Sequence, residues 1–183
     1  MWKWIGGILL VLIVCFMGLA WWGYRKVANT FEPDGSIRVA IAAPAARVFA
    51  SLSDADSAAT WMASGSKVST GKHGPFGLGD SIRIEMRAVG TNRPVTWKIT
   101  EVVPGQSISM QLNSPDPSHP FVATRHDSIV QVGDSTIVVD RITTTPPATG
   151  TAEQMMVSMF KVQAKVELMT LKSRIEGTGR VKY

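Results

Sequence analysis

The side chains best suited to acid–base chemistry are concentrated in one segment, ATRHDS at 123–128. Over 122–132, Val122, Thr124, His126, Ser128, Val130 and Val132 alternate onto one face of a strand, and Arg125 and Asp127 onto the other. The first face has apolar ends. It is therefore expected to turn inward, carrying His126 and Ser128 into the interior and leaving Arg125 and Asp127 outside. Histidine is the side chain that most readily exchanges a proton near neutral pH, so an interior His126 could act as a general acid or base. Spacing supplies no orienting partner for it, which leaves His126 a weak catalytic candidate. A histidine bonded to a neighbour, or standing at a wet rim, is the simpler account.

The other reactive residues are weaker still. His73 lies in the turn KHGPFGLGD, whose glycines lack the strand-to-helix setting of a phosphate loop. His119 precedes Pro120 in a polar loop, and neither it nor His126 has the His or Cys neighbours of a metal site. Asp140 and Arg141 fall on opposite faces of a strand, where a surface salt bridge is the default. Glu101 interrupts an apolar alternation just before Pro104-Gly105, the usual setting of a solvated strand-end carboxylate. The chain has no nucleophile elbow, paired-carboxylate signature or dinucleotide fingerprint. No cofactor or metal is expected.

The chain has 183 residues and a net charge of +5, with one cysteine. That length supports one domain with a substantial core plus an appendage. The basic residues near the C-terminus lack interleaved aromatics, so they read as a solvated helix face and not as a nucleic-acid surface. Cys15 cannot form a disulfide within the chain and lies in an apolar run.

That run begins the chain. No charge falls between Lys3 and Arg25. As a helix, Trp4–Trp22 spans roughly 28 Å, close to the ~30 Å hydrocarbon core of a bilayer. Trp2, Trp4, Trp21, Trp22 and Tyr24 cluster at its ends, as interfacial anchors do. A single-pass membrane anchor over 1–26 is expected, with a cleaved signal peptide as the competing reading because Gly18 and Ala20 offer a cleavage spacing. The flanking charges leave the side of the membrane open.

A link at 27–35 leads to the elements that position everything else. Ile37, Val39 and Ile41 alternate as a strand, Pro44 opens a short helix carrying Val48, Phe49 and Leu52, and Asp54 caps a second that ends on Trp61. Period-two segments follow at about 81–89, 94–103, 108–112, 122–132 and 136–144, separated by Gly90–Asn92, Pro104-Gly105 and Gly133-Asp134. They predict an antiparallel sheet with one apolar face. From about 151 to 175 the period changes. Met155, Met159, Val162, Val166 and Met169 recur three and four apart, the stripe of a helix of about six or seven turns ending at Gly177. Sheet and stripe are expected to cover one another.

This order resembles the START-like (SRPBCC) superfamily, in its polyketide cyclase/dehydrase-like branch. The resemblance is carried by IAAPAARVFASLSDADSAATW at 41–61, GPFGLGDSIRIEM at 74–86, TWKITEVVPGQSISMQL at 96–112 and LKSRIE at 171–176. It covers 36–177, followed by a basic tail at 178–183. The resemblance implies an α+β helix-grip fold: a curved antiparallel sheet gripping the long helix around an apolar cavity. On that mapping the cavity would be lined by Trp61 at its mouth, Ile82, Ile84, Met86, Val95, Trp97, Ile99, Met110, His126, Met155, Met159, Val162 and Val166. The implied role is binding of a hydrophobic small molecule or lipid beside a membrane, more as a carrier than an enzyme. A cyclase or dehydratase using the same cavity is one alternative, and an interaction or stress-related module with a merely packed core, lacking a pocket of the usual few hundred Å³, is another.

Overall fold

A computed structural model describes residues 34–62, 67–88, 91–113 and 120–177. The apolar segment 1–26, His119 and the tail lie outside the described residues. Among those described, no helix is long and apolar enough to cross a membrane. The described residues from Gly35 to Gly177 form one compact unit.

The elements appear in the order expected. Strand β1 (Ile37–Ile41) is followed by helices α1 (Ala45–Leu52) and α2 (Ala55–Trp61). Then come β2 (Lys67–Ser69), β3 (Ser81–Ala88), β4 (Thr91–Val103), β5 (Ser107–Asn113), β6 (Val122–Val132), β7 (Ser135–Thr145) and the long helix α3 (Thr151–Glu176). The seven strands form one curved antiparallel sheet in the order β1-β7-β6-β5-β4-β3-β2. From β2 to β7 each strand pairs with its neighbour in sequence, through short turns at β3–β4, β4–β5 and β6–β7 and longer connections after β2 and β5. Only β1 returns from a distance, pairing with β7 from Ile37↔Asp140 to Ile41↔Thr136. Strand β2, too short to show a period, has no signal in the sequence.

Local chemistry explains the boundaries. Asp54 Oδ1 accepts the Ser57 N–H at 2.9 Å and starts α2. Pro44 is the residue just before α1, with extended backbone. The loop after β2 is tied to the break between these helices by Phe76 N–H to Ser53 O at 2.7 Å and Ala55 N–H to Gly74 O at 2.8 Å. At the start of α3, Glu153 reaches back to accept the N–H groups of Thr149 and Gly150. Its end is a left-handed Gly177, φ 69°. Glu176 then latches that end to the sheet, accepting the Ala42 N–H and Lys172 Nζ, while Lys172 also donates to Ala40 O.

The core lies between the concave face of the sheet and one side of α3. Register places Ile82 beside Trp97, Ile84 beside Val95 and Ile99 beside Met110, all on that face. From α3 come Ala164, Glu167, Leu168, Leu171 and Ile175, all buried. This corrects the expected rotation of the helix. Met155, Met159 and Val162 are 67%, 50% and 41% exposed, and Met169 is exposed as well. Val166 is only half-buried. The inward stripe passes instead through Phe160, Ala164, Leu168, Leu171 and Ile175, and no described residue of α3 before Ala164 is fully buried.

Candidate functional site: a buried charge cluster beneath the long helix

Strand β6 supplies the site, with the opposite face from the one expected. Arg125 pairs with Met110 on β5 and Ile142 on β7, and Asp127 with Ile108 and Asp140, so all of these share the concave face. Arg125 and Asp127 are 3% and 0% exposed, and Asp140, expected in a surface salt bridge, is likewise buried. Arg125 Nη1 donates to Glu167 Oε2 at 2.6 Å, across the gap between sheet and helix. Its Nε approaches Asp140 Oδ2 to 2.8 Å and Asp127 Oδ2 to 3.2 Å, as ion pairs without hydrogen-bond alignment. The guanidinium carbon also lies 6.0 Å from the centroid of the Trp61 ring. Trp61, expected at the cavity mouth, is instead buried in the core, its indole N–H donating to Ser51 O at 3.1 Å.

Three carboxyl groups around one guanidinium cannot all be ionised at low cost in a dry interior. Burial pushes the Asp140 carboxyl well above the usual range against the pull of Arg125, and the facing Asp127 pushes it further. Burial also raises Glu167, opposed by Arg125 and Gln163. For Arg125 burial works the other way, but the charges of Asp127, Asp140 and Glu167 outweigh it and raise its pKa. The guanidinium stays charged throughout. Among the described residues, no cluster of His, Cys, Asp and Glu could hold a metal ion.

This cluster forms one wall of a cavity. Ile84, Trp97, Ile142, Phe160 and Ala164 make its apolar lining, and Arg125, Gln163 and Glu167 its polar side. Its volume is about 20 Å³, room for about one water. Phe160 closes it edge-on against Trp97, with ring centroids 6.0 Å apart and planes at 72°. A second small cavity lies under the first turns of α3, between Phe121, Pro146, Met156 and Val157. Voids therefore follow the underside of the front half of the helix, the half without a fully buried residue.

His126 sits on the outer face. Its Nδ1 lies 2.9 Å from Ser109 Oγ, and that hydroxyl lies 3.1 Å from Glu101 Oε2. A register shift between Ile99 and Glu101 turns Glu101 outward and explains the broken alternation seen in the sequence. After it, Val102 and not Val103 pairs with the inward Ile108. The order Glu–Ser–His is wrong for nucleophilic catalysis, which needs the histidine between carboxylate and hydroxyl. Here Ser109 donates to Glu101 and accepts from His126, which explains the cluster as a structural bridge across three strands. His73 pairs with Asp56 at 2.6 Å on an exposed loop.

Of the remaining predicted lining residues, Ile82, Ile84, Trp97, Ile99 and Met110 are buried on the concave face, and Val95 is half-buried there. The side chain of Met86 lies outside the described set. His126, Met155, Met159 and Val162 face away from the core. Arg125, Asp127 and Asp140, expected at the surface, lie in the core, and they are joined there by Phe160, Gln163 and Glu167, which no motif singled out.

Over residues 33–176 the chain matches the family described as polyketide cyclase / dehydrase and lipid transport, and it belongs to that family. No curated protein sequence matches it. The fold is similar to that of the Aha1 dimer from Colwellia psychrerythraea, with 21% identity and a TM-score of 0.58, covering 79% of this chain and 97% of that one. Protein Ms6760 from Mycobacterium smegmatis shares it at 19% identity and a TM-score of 0.59, covering 79% and 91%. DynU16, a putative protein in the dynemicin biosynthetic locus, does so at 16% identity and a TM-score of 0.58. That match covers 81% of this chain and about half, 49%, of the other.

Proposed function

We propose that the protein is a single-pass, membrane-anchored carrier that binds a hydrophobic small molecule or lipid between the sheet and α3, without catalysing a reaction. The observation that carries this reading is the apolar-walled cavity under a helix half that is loosely seated. The back half of α3 is packed through Leu168, Leu171 and Ile175 and latched by Glu176. Its front half rests on Phe160 and half-buried residues above voids. Lifting that half would enlarge the cavity at little cost in buried apolar area. The family's description, which names lipid transport, supports the same reading.

The membrane partner is supported by the apolar, aromatic-flanked segment 1–26 and by the exposed Met155, Met159 and Val162, with Lys161 and Lys165 on the same helix. Full-length protein should resist alkaline extraction from membranes, and the chain from residue 27 onward should not. Purified protein should carry lipid-like molecules detectable by native mass spectrometry and solvent extraction. Empty protein that takes up no fluorescent lipid would overturn the carrier reading.

The enzymatic alternative rests on Glu167, a buried carboxyl with a raised pKa that lines the cavity. Both of its oxygens are already engaged, Oε2 by Arg125 and Oε1 by Gln163 at 3.1 Å. That engagement favours binding over proton transfer. Turnover of a polyketide-like substrate that Glu167→Gln abolishes, with binding retained, would reverse the preference.

A further inference from the structure

Arg125 has five N–H donors, and its partners do not use all of them. Nη1 is taken by Glu167, and Nε faces the two aspartates. Nη2 has no hydrogen-bond partner, although the residue is 3% exposed and lines the cavity. An unpaired donor on a buried cation is costly in a packed interior, and the cavity that Arg125 lines is the size of one oxygen-bearing group or one water. The remaining lining, Ile84, Trp97, Ile142, Phe160 and Ala164, is apolar.

We infer that Arg125 Nη2 forms a polar subsite in this cavity for a neutral acceptor oxygen, a ketone or similar carbonyl, at the buried end of an otherwise apolar ligand. Neutrality follows from the charges already present. Asp127, Asp140 and Glu167 surround the single guanidinium, so a ligand carboxylate would add a fourth acid to one cation and be repelled or forced to protonate. A hydrocarbon end would leave Nη2 unpaired and displace any water that served it. A carbonyl oxygen accepts the N–H and adds no charge. The inference rests on the carrier reading and narrows its ligand class.

The test uses full-length protein in lipid nanodiscs, with protein-free nanodiscs as the blank for partitioning. Three probes share one bicyclic apolar body: acetylnaphthalene, ethylnaphthalene and naphthoate. Each is measured on the natural protein and on Phe160→Ala, which makes room between Trp97 and α3 while leaving the charge cluster untouched. The ketone should be retained about tenfold more tightly than the hydrocarbon, as for a hydrogen bond to a charged donor, and naphthoate should bind more weakly than either. With the ketone labelled at its carbonyl carbon, the bound resonance should shift downfield. Hydrocarbon binding equal to ketone binding, or naphthoate binding tightest, would overturn the subsite while leaving the carrier reading standing. Failure of every probe on both proteins would overturn the two together.

Discussion

Two polar clusters sit back to back on strand β6. Arg125 and Asp127 point into the core and meet Asp140, Glu167 and the Trp61 ring. His126, the residue between them, points out and joins Ser109 and Glu101. Both cross several elements, but their surroundings differ. The inner cluster is buried, carries several charges and ties the sheet to α3. The outer one ties neighbouring strands beside solvent. Polar groups cost most and specify most where water cannot replace their partners. The charged segment of this protein thus serves the interior, while its one suggestive histidine serves the outer face of the sheet.

That contrast can be broken by substitution. Arg125→Met should be the most damaging change, because it leaves three buried carboxyl groups without their cation. A loss of about 3–5 kcal/mol is expected in urea unfolding, and a loss below ~1 kcal/mol would mean that the cluster is hydrated. The second effect is on pH dependence. Folding raises the Asp140 and Glu167 pKa values above those of the unfolded chain, roughly 4. Their contribution is therefore fully present below that value and is lost as pH rises through the raised folded values. Asp140→Asn should flatten this alkaline-side decline in melting temperature; an unchanged slope would assign the decline to other groups.

On the outer face the effects should be smaller. Ser109→Ala removes the bridge between Glu101 and His126 and should cost about 1 kcal/mol, with His126→Ala no worse and ligand uptake unchanged. A loss of uptake in His126→Ala would return that residue to the site. Smallest of all, Met159→Ser should alter stability by no more than about 0.5 kcal/mol. It should nonetheless reduce binding of the chain from residue 27 onward to anionic phospholipid vesicles, measured by co-sedimentation. Unreduced binding would remove the outer stripe of α3 from the membrane reading.

Most element boundaries were legible because they depend on neighbours in sequence. Gly133-Asp134, Pro104-Gly105, Asp54 and Gly177 mark turns and caps wherever the rest of the chain goes. The alternations in β3 and β5 revealed their inward faces because each has one clearly apolar side, as Ile108, Met110 and Leu112 show against Ser109 and Gln111. Strand β6 has no such side. Val130 and Val132 suggested that the His126 face was inward, yet both lie near the end of the hairpin and are half exposed. A usable signal existed in the turn. A two-residue connection at Gly133-Asp134 opposes Val132 to Ser135, and the same register brings Asp127 to Asp140 and Arg125 to Ile142. Two carboxyl groups and an arginine on one face were then a reason to look for a shared partner.

Helix α3 failed for a related reason. Apolar residues run round much of it, and two stripes of helical spacing compete. The Met155–Met169 stripe is richer in large side chains, while the true inner stripe is diluted by Ala164 and by Glu167 beside it. Rotation was decided by what lay underneath: Trp97 packs against Phe160, and Arg125 donates to Glu167. Residue patterns alone were enough for the family, for the order of the elements and for every described element except β2, since propensity, turn chemistry and periodicity act over a few residues. Only the tertiary structure decided which faces became interior and that the site is a buried arginine among carboxyl groups. A one-residue shift in a strand or half a turn in a helix exchanges inside for outside, and that choice is made by partners distant in the chain.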